Sequence, residues 1–206
     1  MKSSINSGRD TERGFTLIEL LAVIAIVGLL AAMIFPVLGN ARAKGQATYC
    51  VNNLRQLGIA VTAYASDFDQ RLPLAEPTPS MPVDVDNPLP RIRDLLEKYV
   101  GGSAGVFQCP SDHDNFTAWG NAYTKRFDAF GSSYEWVAPS SSTPPSIGVG
   151  GLRLDNLYWL IGLPPGVKLN ITASQAVIMF DYQNFHQNQS GGTRNVLYAD
   201  GHVETP

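Results

Sequence analysis

Ionic side chains are scarce in this sequence. Lys, Arg, Asp and Glu make up 16% of 206 residues, against about a quarter in an ordinary soluble domain. Their balance is a net charge of −3, which excludes the basic footprint of a general nucleic-acid binder. Cysteine is limited to Cys50 and Cys109, too few for a disulfide-rich scaffold but enough for one bridge in an oxidising compartment. No Walker loop and no Gly-x-Gly-x-x-Gly opens a helix, and Gly148-Val149-Gly150-Gly151 sits in a proline-bounded loop. Nucleotide chemistry is therefore not expected, nor is a hydrolase with a nucleophile elbow.

What the sequence does have is a long apolar run. Residues 15–38 are apolar at nearly every position, and a bilayer core needs about 20 helical residues of that kind. Because the run is apolar on every face, a membrane span fits better than a buried core helix. Glu19 is its only acid. A carboxylate at membrane depth costs about 2.5–3.5 kcal/mol on insertion scales, so such a residue marks a functional position. Pro36, in the outer part of the run, removes a helix donor and is expected to bend the helix. Gly28 and Gly39 would permit close helix packing. Flanking charge does not orient the span: Lys2, Arg9 and Arg13 precede it, and Arg42, Lys44 and Arg55 follow.

The string Gly14-Phe15-Thr16-Leu17-Ile18-Glu19 follows a short basic leader. It resembles the prepilin signal of type IV pilins and type II secretion pseudopilins. The resemblance implies cleavage between Gly14 and Phe15 by a prepilin peptidase, N-methylation of Phe15, and Glu19 as the fifth residue of the mature chain. Losing residues 1–14 removes a net positive charge and leaves −4. In such proteins the glutamate neutralises the terminal amine of an adjacent subunit, a pairing that makes a buried charge tolerable. The implied role is a structural filament subunit with no enzymatic activity, in a type II secretion pseudopilus or a type IV pilus. Its implied partners are sibling pilins in a homo- or hetero-polymer, an inner-membrane assembly platform with its ATPase, and membrane lipid. No nucleic acid is expected. The implied location is the bacterial inner membrane, with a single pass and the globular domain on the periplasmic side.

After Pro36 the apolar positions recur every three or four residues: Ala47, Cys50/Val51, Leu54, Leu57/Gly58, Val61, Tyr64/Ala65 and Phe68. That spacing predicts an amphipathic stem continuing the span. A helix of about 52 residues would be about 78 Å long. The expected organisation is a leader at 1–14, a transmembrane helix at 15–38, a stem helix at 39–68 and a globular domain at 69–206. Proline-rich turns follow the stem, then a short helix at 91–100. Strands are expected at 106–108, 134–137 and 176–180, and a closing hairpin at 195–204 turns on Asp200-Gly201 in two residues. The fold class is α+β: a pilin-like lollipop, with the long helix packed on a small antiparallel sheet.

Four stretches resemble a narrower group, pilin-like proteins with a processing-associated His-x9-Asp-Gly domain. They are Cys50-Val51-Asn52-Asn53-Leu54-Arg55-Gln56-Leu57-Gly58, Phe107-Gln108-Cys109-Pro110-Ser111-Asp112, Ser132-Ser133-Tyr134, and Asn195-Val196-Leu197-Tyr198-Ala199-Asp200-Gly201-His202-Val203. The signature's histidine is out of place: Ser190 stands where it belongs, and His186 lies four residues earlier.

Other candidate sites remain open. Cys50 and Cys109 would either bridge, removing about 4 kcal/mol of denatured-state freedom, or stay as buried thiols. Asp181, His186, Asp200 and His202 could bind Zn²⁺ or Ca²⁺, although Asp200 also fits turn chemistry and Asp181 a strand-ending cap. Asp112, Asp114 and Asn115 form an oxygen-rich string without the glycine and distal glutamate of an EF-hand, and a solvated loop is expected there. Tyr134, Trp136, Tyr158 and Trp159 would form either core or a glycan-binding surface. The alternatives to a filament subunit are a tethered module that binds metal or glycan without polymerising, and a membrane-anchored metal-dependent enzyme.

Overall fold

The computed structural model describes residues 15–76, 89–113, 115–118, 120–137, 150–159, 169–182 and 194–205. Helix α1, Leu17–Asp67, is 51 residues long and runs through Pro36 without a break in its assignment. The chain divides into two compact units between Arg42 and Ala43.

From Leu17 onward the first unit is bare helix. Leu17–Phe35 has a mean hydropathy of 2.8 and no part of it is buried within the chain. Phe15, Leu17, Ile18, Ile34 and Phe35 are more than half exposed. An apolar cylinder of this length requires a lipid or protein environment.

The second unit starts from the stem half of α1. Cys50, Asn53, Leu54, Leu57, Ala60, Val61 and Ala65 are buried, and three- and four-residue steps place them on one helix face. Tyr49, Arg55, Ile59, Thr62 and Ser66 lie exposed on the other. Beyond the stem, α2, Ile92–Leu96, buries Ile92 and Leu96 and passes into a 3₁₀ turn, Glu97–Val100. Tyr99 Oη donates to Asp67 Oδ2 at 2.8 Å, and the Tyr99 ring meets Tyr64 edge-on, which ties this turn to the end of α1.

Residues 106–108, expected as a strand, differ. Ala104–Phe107 is a second 3₁₀ turn, because neighbouring Val106 and Phe107 are both buried. A strand would point one of them outward, whereas a tighter helical turn keeps both inside.

The strands are β1, Phe116–Ala118; β2, Asn121–Tyr123; β3, Tyr134–Trp136; β4, Tyr158–Trp159; β5, Leu169–Asn170; β6, Val177–Asp181; β7, Val196–Tyr198; and β8, Val203–Glu204. The main sheet is antiparallel in the order β3-β6-β7-β8. Two separate antiparallel ribbons, β1-β2 and β4-β5, were not foreseen. Neither was α3, Arg126–Phe130. Trp136, Tyr134, Phe107, Leu54, Leu57, Ile178, Met179 and Leu197 fill the core, giving the α+β pilin-like arrangement of stem helix and antiparallel sheet.

The closing hairpin differs from its expected two-residue turn. Leu197 pairs with Val203, and Tyr198 accepts from Gly201 N–H at 2.9 Å while its own N–H donates to His202 O at 3.0 Å. The loop is therefore three residues, 199–201, with Gly201 at φ 90°. A three-residue hairpin takes a left-handed residue at that last place, and glycine adopts it without strain.

Candidate assembly site

Thr16 and Glu19 build the start of α1. Thr16 O accepts the first helical bond, from Leu20 N–H, so Thr16 is the cap. Glu19 Oε2 accepts Thr16 N–H at 2.9 Å and Thr16 Oγ1–H at 2.7 Å. Glu19 N–H donates back to Thr16 Oγ1 at 3.3 Å. This is the reciprocal capping box of a Thr-x-x-Glu string, and the sequence reading missed it although its letters were plain. The helix start also carries a partial positive charge that favours the carboxylate. Oε1 accepts no hydrogen bond among the described residues. Phe15, directly ahead of the cap, is 76% exposed. Gly14 lies outside the described residues, as does the side chain of Pro36. The chain thus presents a half-satisfied carboxylate on the first turn of an unburied apolar helix.

In the second unit, all four stretches of the narrower resemblance meet. Cys50 and Cys109 form a disulfide, with Cα atoms 5.1 Å apart. Asn53 Nδ2 donates to Gln108 O at 2.8 Å, fixing the same junction. Gly58 faces the closing hairpin, and a Cβ added there would lie 3.0 Å from Leu197 Cδ1 and 3.5 Å from Gly201 Cα. The stem can approach the hairpin this closely because position 58 has no side chain.

Asp112 is not the solvated loop residue expected. It is fully buried and accepts from Arg126 N–H at 3.0 Å, Phe127 N–H at 2.9 Å and Ser133 Oγ at 2.6 Å. It therefore caps α3 from fourteen residues upstream, where Lys125, the local cap position, offers no side-chain bond. The link from Asp112 to α3 is nonlocal, which hid it from a pattern reading.

The expected metal set is not assembled among the described residues. Asp181 is buried at the end of β6 and accepts Asn195 N–H and Nδ2–H, each at 2.8 Å. Asp200 Oδ1 accepts His202 N–H at 3.1 Å and pairs with the His202 ring across the turn. His186 lies outside the described residues. Among those described, no three His, Cys, Asp or Glu side chains stand where they could share an ion, so neither Zn²⁺ nor Ca²⁺ finds a fitting donor set. Desolvation raises the Asp200 carboxyl, but hydrogen bonds from His202 outweigh it and leave it below the usual aspartate range.

Tyr134 and Trp136 are fully buried and serve as core, with desolvation pushing the Tyr134 hydroxyl well up. The side chains of Tyr158 and Trp159 lie outside the described residues. One enzymatic string had been overlooked: Gly101-Gly102-Ser103-Ala104-Gly105 spells Gly-x-Ser-x-Gly. Ser103 sits at φ −79° between two 3₁₀ turns, not on a strained strand-to-helix elbow.

Comparison with known proteins gives the same picture at the N-terminus. The profile of the prokaryotic N-terminal methylation motif matches residues 9–35. The chain is 35% identical over 69 residues to the type IV major fimbrial protein FimA of Dichelobacter nodosus, covering 34% of this chain and 43% of that one. It is 35% identical over 68 residues to type II secretion system core protein G of Klebsiella michiganensis, covering 33% and 47%. It is 40% identical over 58 residues to the type IV major pilin PilA of Myxococcus xanthus, covering 28% and 26%. The matches span less than half the length of these relatives. No solved structure matches the chain.

Proposed function

We propose, from the premise that this is a pilin-like chain bearing a prokaryotic N-terminal methylation motif, that it is a structural subunit of a type II secretion pseudopilus or type IV pilus-like filament. Its work is assembly, not catalysis. Cleavage between Gly14 and Phe15 frees an amine directly ahead of the Thr16 cap, and methylation modifies that amine. The apolar helix holds the subunit in the inner membrane with the second unit on the periplasmic side. A platform and its ATPase then transfer the helix from lipid to sibling helices. A repeating contact that does not close on itself grows into a fibre.

The observation that carries this reading is Glu19 on the first turn of a helix with no burial of its own. Thr16 donates to one carboxylate oxygen and leaves the other available. A neighbour's terminal ammonium is the group that would complete it, since a charge taken out of water is tolerated only when paired. The available oxygen therefore favours the assembled state and sets the axial step.

Replacing Glu19 by Ala in cells that make the protein tests this directly. Processing at Gly14-Phe15 should continue while filament assembly falls about tenfold or more, the loss expected for one charge-assisted contact. Undiminished filaments would reject the role of Glu19. A mature protein still beginning at Met1 would reject the whole scheme.

A further inference from the structure

Between Glu19 and Asp67, helix α1 carries charge of one sign. That stretch holds Arg42, Lys44 and Arg55 and no acid, while the other twelve of the fifteen Lys and Arg are set against all eighteen Asp and Glu. Arg42 and Lys44 come first after the apolar span. Both are exposed, and neither side chain has a hydrogen bond or ion pair with any described residue. Leu17–Phe35 has 19 residues, about 28 Å of helix against a hydrocarbon core of about 30 Å. Arg42 follows Phe35 by two turns, about 10 Å past the edge of that core, where headgroups fill the first ~5–8 Å. Helical side chains lean toward the N-terminus, which here is toward the membrane, and a long basic side chain reaches back while its stem covers apolar surface. Residues two apart do not face each other on a helix. Arg42 and Lys44 therefore cannot grip one phosphate between them, and no partner on one side of the helix covers both. A bilayer surrounds the helix and offers a headgroup on each side.

We infer that Arg42 and Lys44 form a cationic collar that docks on anionic phospholipid headgroups where the helix leaves the membrane. The inference rests on the membrane anchor proposed above. The ligand is the phosphate of a negatively charged glycerophospholipid. Arg55 lies three turns beyond Lys44, about 16 Å along the helix, and takes no part. The rest of the chain is a net anion and is repelled by the same headgroups, so the attraction is confined to the collar. The collar fixes how deep the helix sits, and its headgroups must be released before the subunit leaves lipid for a fibre. Each basic side chain near an anionic surface gains about fivefold in affinity.

The test offers the full chain, in neutral detergent, an equal mixture of phosphatidylglycerol and phosphatidylcholine with the same acyl chains. Bound lipid is counted by native mass spectrometry. Phosphatidylglycerol should be kept over phosphatidylcholine by about thirtyfold, the product of two such cations. Arg42→Gln and Lys44→Gln should each lower that ratio about fivefold, and the double variant should bring it near unity. Arg55→Gln should leave it unchanged. An even ratio in the parent, or an excess that survives the double variant, would overturn the proposal. So would an excess that added inorganic phosphate abolishes, which would mark a free-anion site. Parent dimers that exclude both lipids and separate in the double variant would assign the collar to a second copy and overturn it too. Washing membranes of producing cells with alkaline carbonate reports the anchor separately. A chain that stays with the membrane but shows an even lipid ratio loses the collar alone. A chain that washes off would overturn the anchor, and the collar with it.

Discussion

At position 58 a hydrogen stands where a methyl would meet Leu197 Cδ1 at 3.0 Å. Alanine there would gain about 1 kcal/mol of helix propensity and lose a comparable amount to overpacking, so Gly58→Ala should change stability little. Gly58→Leu has no such compensation and should cost about 1–3 kcal/mol or more, read as a lower urea midpoint at an unchanged slope. Asp112 leads to a sharper expectation. Asp112→Ala leaves two part-buried backbone donors and the buried Ser133 hydroxyl without their acceptor, at about 1–3 kcal/mol for the buried group; a variant as stable as the parent would reject its capping role. The pH dependence follows from Asp200, whose carboxyl is held low by His202. A lowered carboxyl contributes stability that is fully present above the unfolded-state value of about 4 and is lost as pH falls through the lower folded value. Thermal melts of the parent between pH 2 and 6 should therefore slope more steeply on the acid side than those of Asp200→Asn.

Among the elements, those with a local signal were legible and those held by distant partners were not. The stem helix came through because Cys50, Leu54, Leu57, Val61 and Ala65 repeat at helical spacing. The β7-β8 hairpin came through because Asp200-Gly201 is turn chemistry, although its loop is one residue longer than expected. Strand β6 came through as a short apolar run. The 3₁₀ turn at Ala104–Phe107 looked like a strand because Val and Phe favour strands, and only the burial of both neighbours settles the matter. Helix α3 could not be read at all: its five residues carry no cap of their own and depend on Asp112. At the candidate site, one string carries the roles proposed for Gly14, Phe15 and Glu19, while the Thr16 cap in the same string was missed. The scattered Asp181, Asp200 and His202 gave a metal expectation because sequence order carries no distance. The stem's buried face is also where substitution should cost most: Leu57→Ala, fully buried, should lose about 2–5 kcal/mol, against almost nothing for exposed Thr62→Ala.

For the whole molecule, the division between Arg42 and Ala43 separates a part that needs an apolar surrounding from a part that carries its own core. A fragment beginning at Ala43 should therefore remain in solution without detergent and unfold in one cooperative step by circular dichroism; a broad, gradual melt would mean that the first unit is required for folding. The capping box has a consequence for the trimming proposed above. Regular helix begins at Leu17, and Phe15 and Thr16 stand outside it. Endopeptidases grip substrate as straight, uncoiled backbone. A helix started two residues sooner would wind the bond ahead of Phe15 into its first coil, out of the blade's reach. With the coil beginning only at Leu17, the glutamate that would await a neighbour also leaves Phe15, the first residue past the proposed cut, in uncoiled backbone.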